Sequence, residues 1–254
     1  MMNKTLLIGT VWGALMLSAC SSHYQLAGIQ RTRIVVDSRY DTAPDAAATA
    51  FLAPYKQQVD SVMGPVVGTV AHDMTSDRPE SDLSNLLSDI LVWASAEYGE
   101  KPVLGVYNMG GIRASLTKGE VTYGDVLDVA PFENKIAFTT LTGETLLKLF
   151  RQIAIRGGEG VSSGCELVIS EQGELVSARL HGQEIDPQAD YRVATIDYLL
   201  GGNDGMSAMN EGRDVKSPQE VRNNTRFIIM SYFKEKTAKG EVVDAKVEGR
   251  IKVQ

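Results

Sequence analysis

The chain has 254 residues, of which 25 are basic and 32 acidic, giving a net charge of −7 at neutral pH. That acid excess argues against general binding to DNA or RNA polymers, which rests on phosphate neutralisation by Lys and Arg. The length suits one large domain or two small ones, and there are only two cysteines, Cys20 and Cys165.

The first twenty residues, MMNKTLLIGTVWGALMLSAC, combine Lys4, an apolar core too short for a permanent membrane span, and small residues before Cys20. This resembles a bacterial lipoprotein signal, which implies cleavage after residue 19 and lipidation of Cys20. Ser21 fits an envelope lipoprotein of the outer membrane facing the periplasm. Cys165 is then the only other thiol, so no intramolecular disulfide is expected. Its apolar flank ELVI marks it as a buried thiol rather than a nucleophile. Residues 20–44 read as a lipidated tether with one short strand at 33–37, and 45–254 as the folded domain.

A helix is expected over 45–63, kinked or bounded at Pro54, followed by a strand in PVVGTVAHDM, 65–74. Leu83, Leu86, Leu87, Ile90, Leu91 and Ala94 recur at helical spacing, with Ser81 as N-cap and Gly99 beyond the C-terminus. Residues 117–134 read as a turn and one short helix, and KIAFTTL, 135–141, as a strand. Thr142 caps a helix over GETLLKLFRQIAIR, after which CELVIS and ELVSARL form a hairpin around EQG. YRVATIDYLL, 191–200, reads as a strand running into GGNDG. Ser217, Pro218 and Glu220 look like the start of a helix over PQEVRNNTRFIIMSYFKEK, and AKVEGRIKV like a last strand. This order predicts an α/β fold of mixed α+β layers rather than regular βαβ winding.

Motifs of self-contained hydrolysis are missing. His23, His72 and His181 are scattered, and no GxSxG, P-loop or HExxH occurs. What remains is a set of polar loops. In NMGGIR, Asn108 and Arg113 flank Gly110 and Gly111, a pair suited to positive φ or close approach, exposing backbone N–H donors. In APFEN, Phe132 is either the edge of the core or a stacking face for a flat ring. In DYLLGGNDG, Tyr198 ends a strand and Asp204 sits among glycines. Two rings with Asn, Arg and Asp between them would suit a nucleoside, provided the loops converge.

RPESDLSNLLSD, NMGGIR, GEVTYGDVLDVAPFENKIAFTTLTGETL and YRVATIDYLLGGNDG, taken together and in this order, resemble the C-terminal, substrate-binding domain of 5′-nucleotidases over about residues 45–240. The resemblance implies that Arg113 helps hold a nucleotide phosphate and that Asn108 contacts the sugar side. It implies that Phe132 and Tyr198 stack on the base, Asp204 binds the ribose and Asn134 contacts the base. Arg78 lies near the family's upstream arginine, with Pro79 intervening. Asn203 replaces a more usual glycine and tolerates the left-handed conformation better than most residues.

The family's metallophosphatase domain, with its two divalent metals and attacking water, has no counterpart in these motifs. No catalytic residue and no cofactor is therefore expected in this chain, nor activity from it alone. The expectation is one half of a split 5′-nucleotidase that works with a separate metallophosphatase. The alternatives are a lipid-anchored nucleotide or nucleoside receptor without hydrolysis, and a structural lipoprotein whose pocket has lost its function.

Overall fold

The computed structural model describes residues 28–40, 42 and 44–254. The signal, Cys20 and His23 lie outside these residues. The chain divides into two units, residues 1–51 and 52–254. In the first unit the described residues up to Asp37 form no strand, and the expected strand at 33–37 is absent. Ile34, Val35 and Val36 are exposed, so the β-branched run has no sheet to join. A single 3₁₀ turn, Ser38–Tyr40, follows.

The elements in chain order begin with α1 (Ala46–Met63), which runs through Pro54 without a break, β1 (Val66–Val70) and α2 (Asp82–Ala94). Next come β2 (Leu104–Tyr107), β3 (Gly119–Thr122), α3 (Tyr123–Val129), β4 (Ile136–Thr142) and α4 (Gly143–Ile155). Then follow β5 (Gly160–Val161), β6 (Cys165–Ile169), β7 (Leu175–Leu180), β8 (Gln183–Glu184), β9 (Asp190–Ile196) and α5 (Asp197–Leu200). The chain closes with β10 (Arg213–Lys216), α6 (Thr225–Ala238) and β11 (Ile251–Val253). This is the expected mixed α/β arrangement, with three sheets among the described residues: β1-β3, β10-β4-β9-β2-β5 and β11-β6-β7-β8.

Helix α2 forms for the reasons its sequence suggested. Ser81 accepts from the Ser84 backbone N–H, and Ser84 returns a bond to the Ser81 N–H, a capping box with serine in the third position. All six leucine, isoleucine and alanine positions of its apolar face are buried, against β2, β5 and α6. At roughly 1.5–3 kcal/mol per buried aliphatic side chain, this face is a main anchor of the fold. Strand β2 lies flush on it because position 105 is glycine: a Cβ there would fall 2.4 Å from the Ser88 carbonyl oxygen.

Several boundaries differ from the sequence expectation. The 65–74 strand stops at Val70, and the 191–200 strand ends at Ile196, where the chain turns into α5. Tyr198 is therefore in a helical turn, not at a strand end. The last long helix starts at Thr225, after a 3₁₀ turn over Val221–Asn223, so Ser217 and Glu220 cap nothing. Asn224 holds that position without a side-chain cap bond, and its backbone pairs with Lys135 across a β-bridge. Residues 213–216 add an edge strand to the central sheet. The tail contributes only β11, parallel to β6. Cys165 is buried as expected, and burial pushes its thiol pKa far up.

Candidate nucleotide-binding cleft

The pairing of the central sheet decides where the polar loops go. β2 and β9 are parallel neighbours, Leu104 with Val193 and Gly105 with Ala194, so both strands end at the same edge. Strand β4 is antiparallel to β9, with Ile136 opposite Ile196, so the segment entering β4 starts at that edge too. β5 is antiparallel to β2, with Gly160 opposite Tyr107, and brings the segment before it to the same place. The loops after β2 and β9 and the one before β4 thus converge at the carboxyl ends of a parallel pair.

There they line a cleft of about 430 Å³, counting its open mouth, formed by Asn108, Gly110, Gly111, Phe132, Asn134, Tyr198 and Asp204. Seven of the nine residues singled out from sequence meet here. Arg113 and Arg78 are not among the lining residues. Arg113 is exposed and donates from Nη1 to the Gly110 carbonyl at 3.3 Å. Arg78 donates from Nη2 to Glu159 at 2.6 Å and from Nε to the Gly158 carbonyl at 2.9 Å.

The turn after β2 is a 3₁₀ turn over Met109–Gly111. Neither Gly110 nor Gly111 is among the positive-φ residues, so left-handed freedom is not their use. Close approach is: a Cβ on Gly111 would lie 2.8 Å from Asn108 Oδ1. The backbone N–H groups do not form an open anion nest either. Gly111 donates to the Asn108 carbonyl, Ile112 to the Met109 carbonyl, and Met109 to the Glu159 carboxylate.

Asp204 sits at the centre of the polar side. Its backbone is left-handed, φ 53°, between Gly202 and Gly205, each at 72°. The short polar side chain of Asp makes that tolerable. Asn203 is not in that conformation; its amide donates to the Tyr198 carbonyl at 2.7 Å and pins the loop. Asp204 Oδ2 accepts from Asn108 Nδ2 at 2.6 Å, and Oδ1 from the Tyr198 hydroxyl at 3.2 Å. The negative charge of Asp204 beside it raises the Tyr198 phenol above its ordinary pKa, burial and the shared hydrogen bond adding to the effect. Asn108 is almost wholly buried, and its Oδ1 has no hydrogen-bond partner. Buried acceptors are nearly always satisfied, so this atom marks a site under constraint.

Phe132 and Tyr198 are 48% and 39% exposed, which is high for rings beside a concave surface. Among the described residues neither takes part in aromatic pairs such as Tyr123–Phe227 or Trp93–Tyr232. Both line the cleft and leave apolar ring area exposed there, at an energetic cost.

Sequence reasoning missed two supports. Asp197 Oδ1 accepts from the backbone N–H groups of Lys135 and Tyr198, at 3.0 and 2.8 Å, which joins the start of β4 to α5 and so fixes both aromatic segments. Glu159 holds the turn after β2 from below. Its signal was present as a second glycine pair, Gly157–Gly158, beside a carboxylate. Among the described residues no group of three His, Cys, Asp or Glu side chains is placed to hold a metal ion. His72 lies instead between Asp82 and Asp244, at 3.3 and 3.2 Å.

A family model described as the 5′-nucleotidase, C-terminal domain matches residues 66–211. The cell wall protein Lmo0130 of Listeria monocytogenes is 26% identical over 232 residues, covering 82% of this chain and 29% of that one. The 5′-nucleotidase of Vibrio vulnificus is 26% identical over 216 residues, covering 84% and 37%. The crystal structure of a 5′-nucleotidase precursor from Thermus thermophilus superposes with a TM-score of 0.70 at 28% identity, over 84% of this chain and 44% of that one. The chain thus spans about a third of the length of the curated relatives it matches.

Proposed function

Since the chain belongs to the 5′-nucleotidase C-terminal domain family, we propose that the cleft binds a nucleotide, with its base between Phe132 and Tyr198 and its ribose hydroxyls on Asp204. What supports the reading is the convergence of three separated loops at one sheet edge, bringing two half-exposed rings, Asn108, Asn134 and a carboxylate into one cleft. Asp204 has two oxygens to offer a ribose diol, and Asn108 and Tyr198 aim them. Stacking on each ring would add roughly 1–3 kcal/mol. Arg113, two residues from the lining glycine, would turn toward the phosphate on binding.

The finer proposal is that this chain supplies substrate recognition for phosphate-ester hydrolysis carried out by a separate metallophosphatase, which would hold both divalent metals. A lipid on Cys20 would keep it in the cell envelope, at the outer membrane facing the periplasm, and would raise its local concentration near a partner on the same membrane. The test titrates the purified chain with AMP calorimetrically, then follows phosphate release with Mn²⁺ or Co²⁺, with and without an added metallophosphatase. Binding without release by the lone chain, and release with the partner, is the expected pattern. Robust turnover by the lone chain defeats the split-enzyme proposal. Binding with no release in either case supports a receptor instead.

A further inference from the structure

The seven residues lining the cleft include one carboxylate and no cation. A nucleotide carries a phosphate of charge about −1.5 to −2 near neutral pH, so recognition needs positive charge from beside the cleft. The segment Arg156-Gly-Gly-Glu-Gly160, between α4 and β5, belongs to none of the motifs that carry the resemblance, yet β5 pairing brings it to the same sheet edge.

Its geometry is tightly defined. Gly158 has φ 113°, and a Cβ there would fall 2.1 Å from the Pro79 carbonyl oxygen, so the loop is pressed against the Arg78–Pro79 segment. Glu159 is sealed, its side chain 0% exposed, and both carboxylate oxygens are engaged. Oε2 accepts from the Met109 backbone N–H at 2.6 Å, one residue from the lining Asn108 and Gly110. Oε1 accepts from Arg78 Nη2 at 2.6 Å and from Arg156 Nε at 2.5 Å. One buried anion thus ties two guanidinium groups to the turn, leaving a surplus of one positive charge. The guanidinium side chains are still 37% and 28% exposed, so their outer donors face solvent while the carboxylate does not. The field of Arg156 reaches both Asp204 and Tyr198, where it acts against the charge of Asp204 on the phenol.

We infer that Arg156 is a ligand-contacting cation that recognises the phosphate of the bound nucleotide, and that Glu159 is the positioning residue that fixes it beside the cleft. This deepens the nucleotide-binding proposal and rests on it. A planar guanidinium held at one edge keeps its remaining N–H groups for a bidentate contact with phosphate oxygens. The buried carboxylate removes the rotamer freedom that an exposed arginine would otherwise lose on binding.

The test compares AMP with adenosine in calorimetric titrations of the full chain, using Arg156→Gln, Arg156→Lys and Glu159→Gln. Arg156→Gln is expected to weaken AMP at least tenfold and adenosine less than threefold, with Arg156→Lys recovering part of the loss. The decline of AMP affinity with added salt should be shallower in Arg156→Gln than in the parent. Glu159→Gln should lower AMP affinity in the same selective way. If that variant fails to fold, the partly exposed Arg156 carries the test alone. Equal losses for AMP and adenosine, or an unchanged AMP affinity in Arg156→Gln, would overturn the assignment. A parent chain that binds neither ligand overturns the nucleotide reading itself, whereas binding of both with no Arg156 effect overturns only this inference.

Discussion

Adding a single methyl group at Gly111 tests the cleft where its geometry is tightest. A Cβ at that position would lie 2.8 Å from Asn108 Oδ1 and 3.3 Å from its Cγ and Nδ2. Asn108 is 3% exposed and cannot retreat without leaving its pocket. Its amide must rotate, and the 2.6 Å bond to Asp204 is lost. A hydrogen bond to a charged group contributes about 1.5–3 kcal/mol. The alanine returns about 0.4–1 kcal/mol by restricting the unfolded chain, since the backbone here is not at positive φ. Gly111→Ala should therefore destabilise the domain by about 1–2 kcal/mol net. At 2–4 °C per kcal/mol for a domain of this size, the melting temperature should fall by roughly 2–8 °C. Nucleoside affinity should fall about tenfold or more, because Asp204 loses the group that aims it. Gly110→Ala is the internal control. Its Cβ would meet Asp204 Oδ2 at 3.6 Å and Asn108 Nδ2 at 4.0 Å, ordinary contacts, so stability should change by less than about 0.5 kcal/mol or rise slightly. Ligand affinity should still drop, because that methyl group occupies the cleft. Scanning calorimetry and titration of both variants decide the matter. Equal stability of Gly111→Ala and the parent, or identical behaviour of the two variants, would refute the packing argument.

Other consequences can be measured on the same material. Phe132→Ala and Tyr198→Ala should each weaken nucleoside binding by about 1–3 kcal/mol in titration calorimetry, and unchanged affinity would remove the stacking role. Tyr198→Phe should keep most of the stacking. In the parent, ultraviolet titration should find this phenol ionising above the usual tyrosine range, and Asp204→Asn should bring it down. Tyr107 is buried, and burial raises its pKa to about 12, partly opposed by a hydrogen bond with Thr225. Below pH 10 both folded and unfolded chains keep this proton, so it has no effect on stability. Between about 10 and 12 the unfolded chain releases it first, so stability should fall with rising pH, by up to about 3 kcal/mol across that window. Urea unfolding at pH 9 and 11.5 checks this, and the drop should shrink in Tyr107→Phe. Ser81→Ala should cost about 1 kcal/mol by removing the N-cap of α2.

The parts of the fold legible in sequence were those where one local pattern met no competitor. The six apolar positions of α2, its Ser81 cap, the Thr142 cap of α4 and the β6–β7 hairpin all formed where their residues placed them. Ser217, Pro218 and Glu220 imitate a helix start, whereas α6 begins only at Thr225, after Asn224 has paired with Lys135, a contact far apart in sequence. The strand expected at 33–37 failed because β-branched residues alone do not make a strand without a neighbour. The cleft was legible as three loops, but their meeting is a property of strand order, which no loop encodes. The placement of Arg156 and Glu159 is illegible in the sequence for a related reason. On a helix end a charge reads as solvated surface, and only the pairing of β5 with β2 brings the segment after it to the sheet edge of the cleft.

The most direct test of the cleft is nuclear magnetic resonance of the chain with bound AMP, observing nuclear Overhauser contacts from the base protons. Cross-peaks to the ring protons of both Phe132 and Tyr198 are the predicted result. Saturating AMP with contacts to neither ring, or to residues away from Asn108 and Asp204, would contradict the assignment of this cleft.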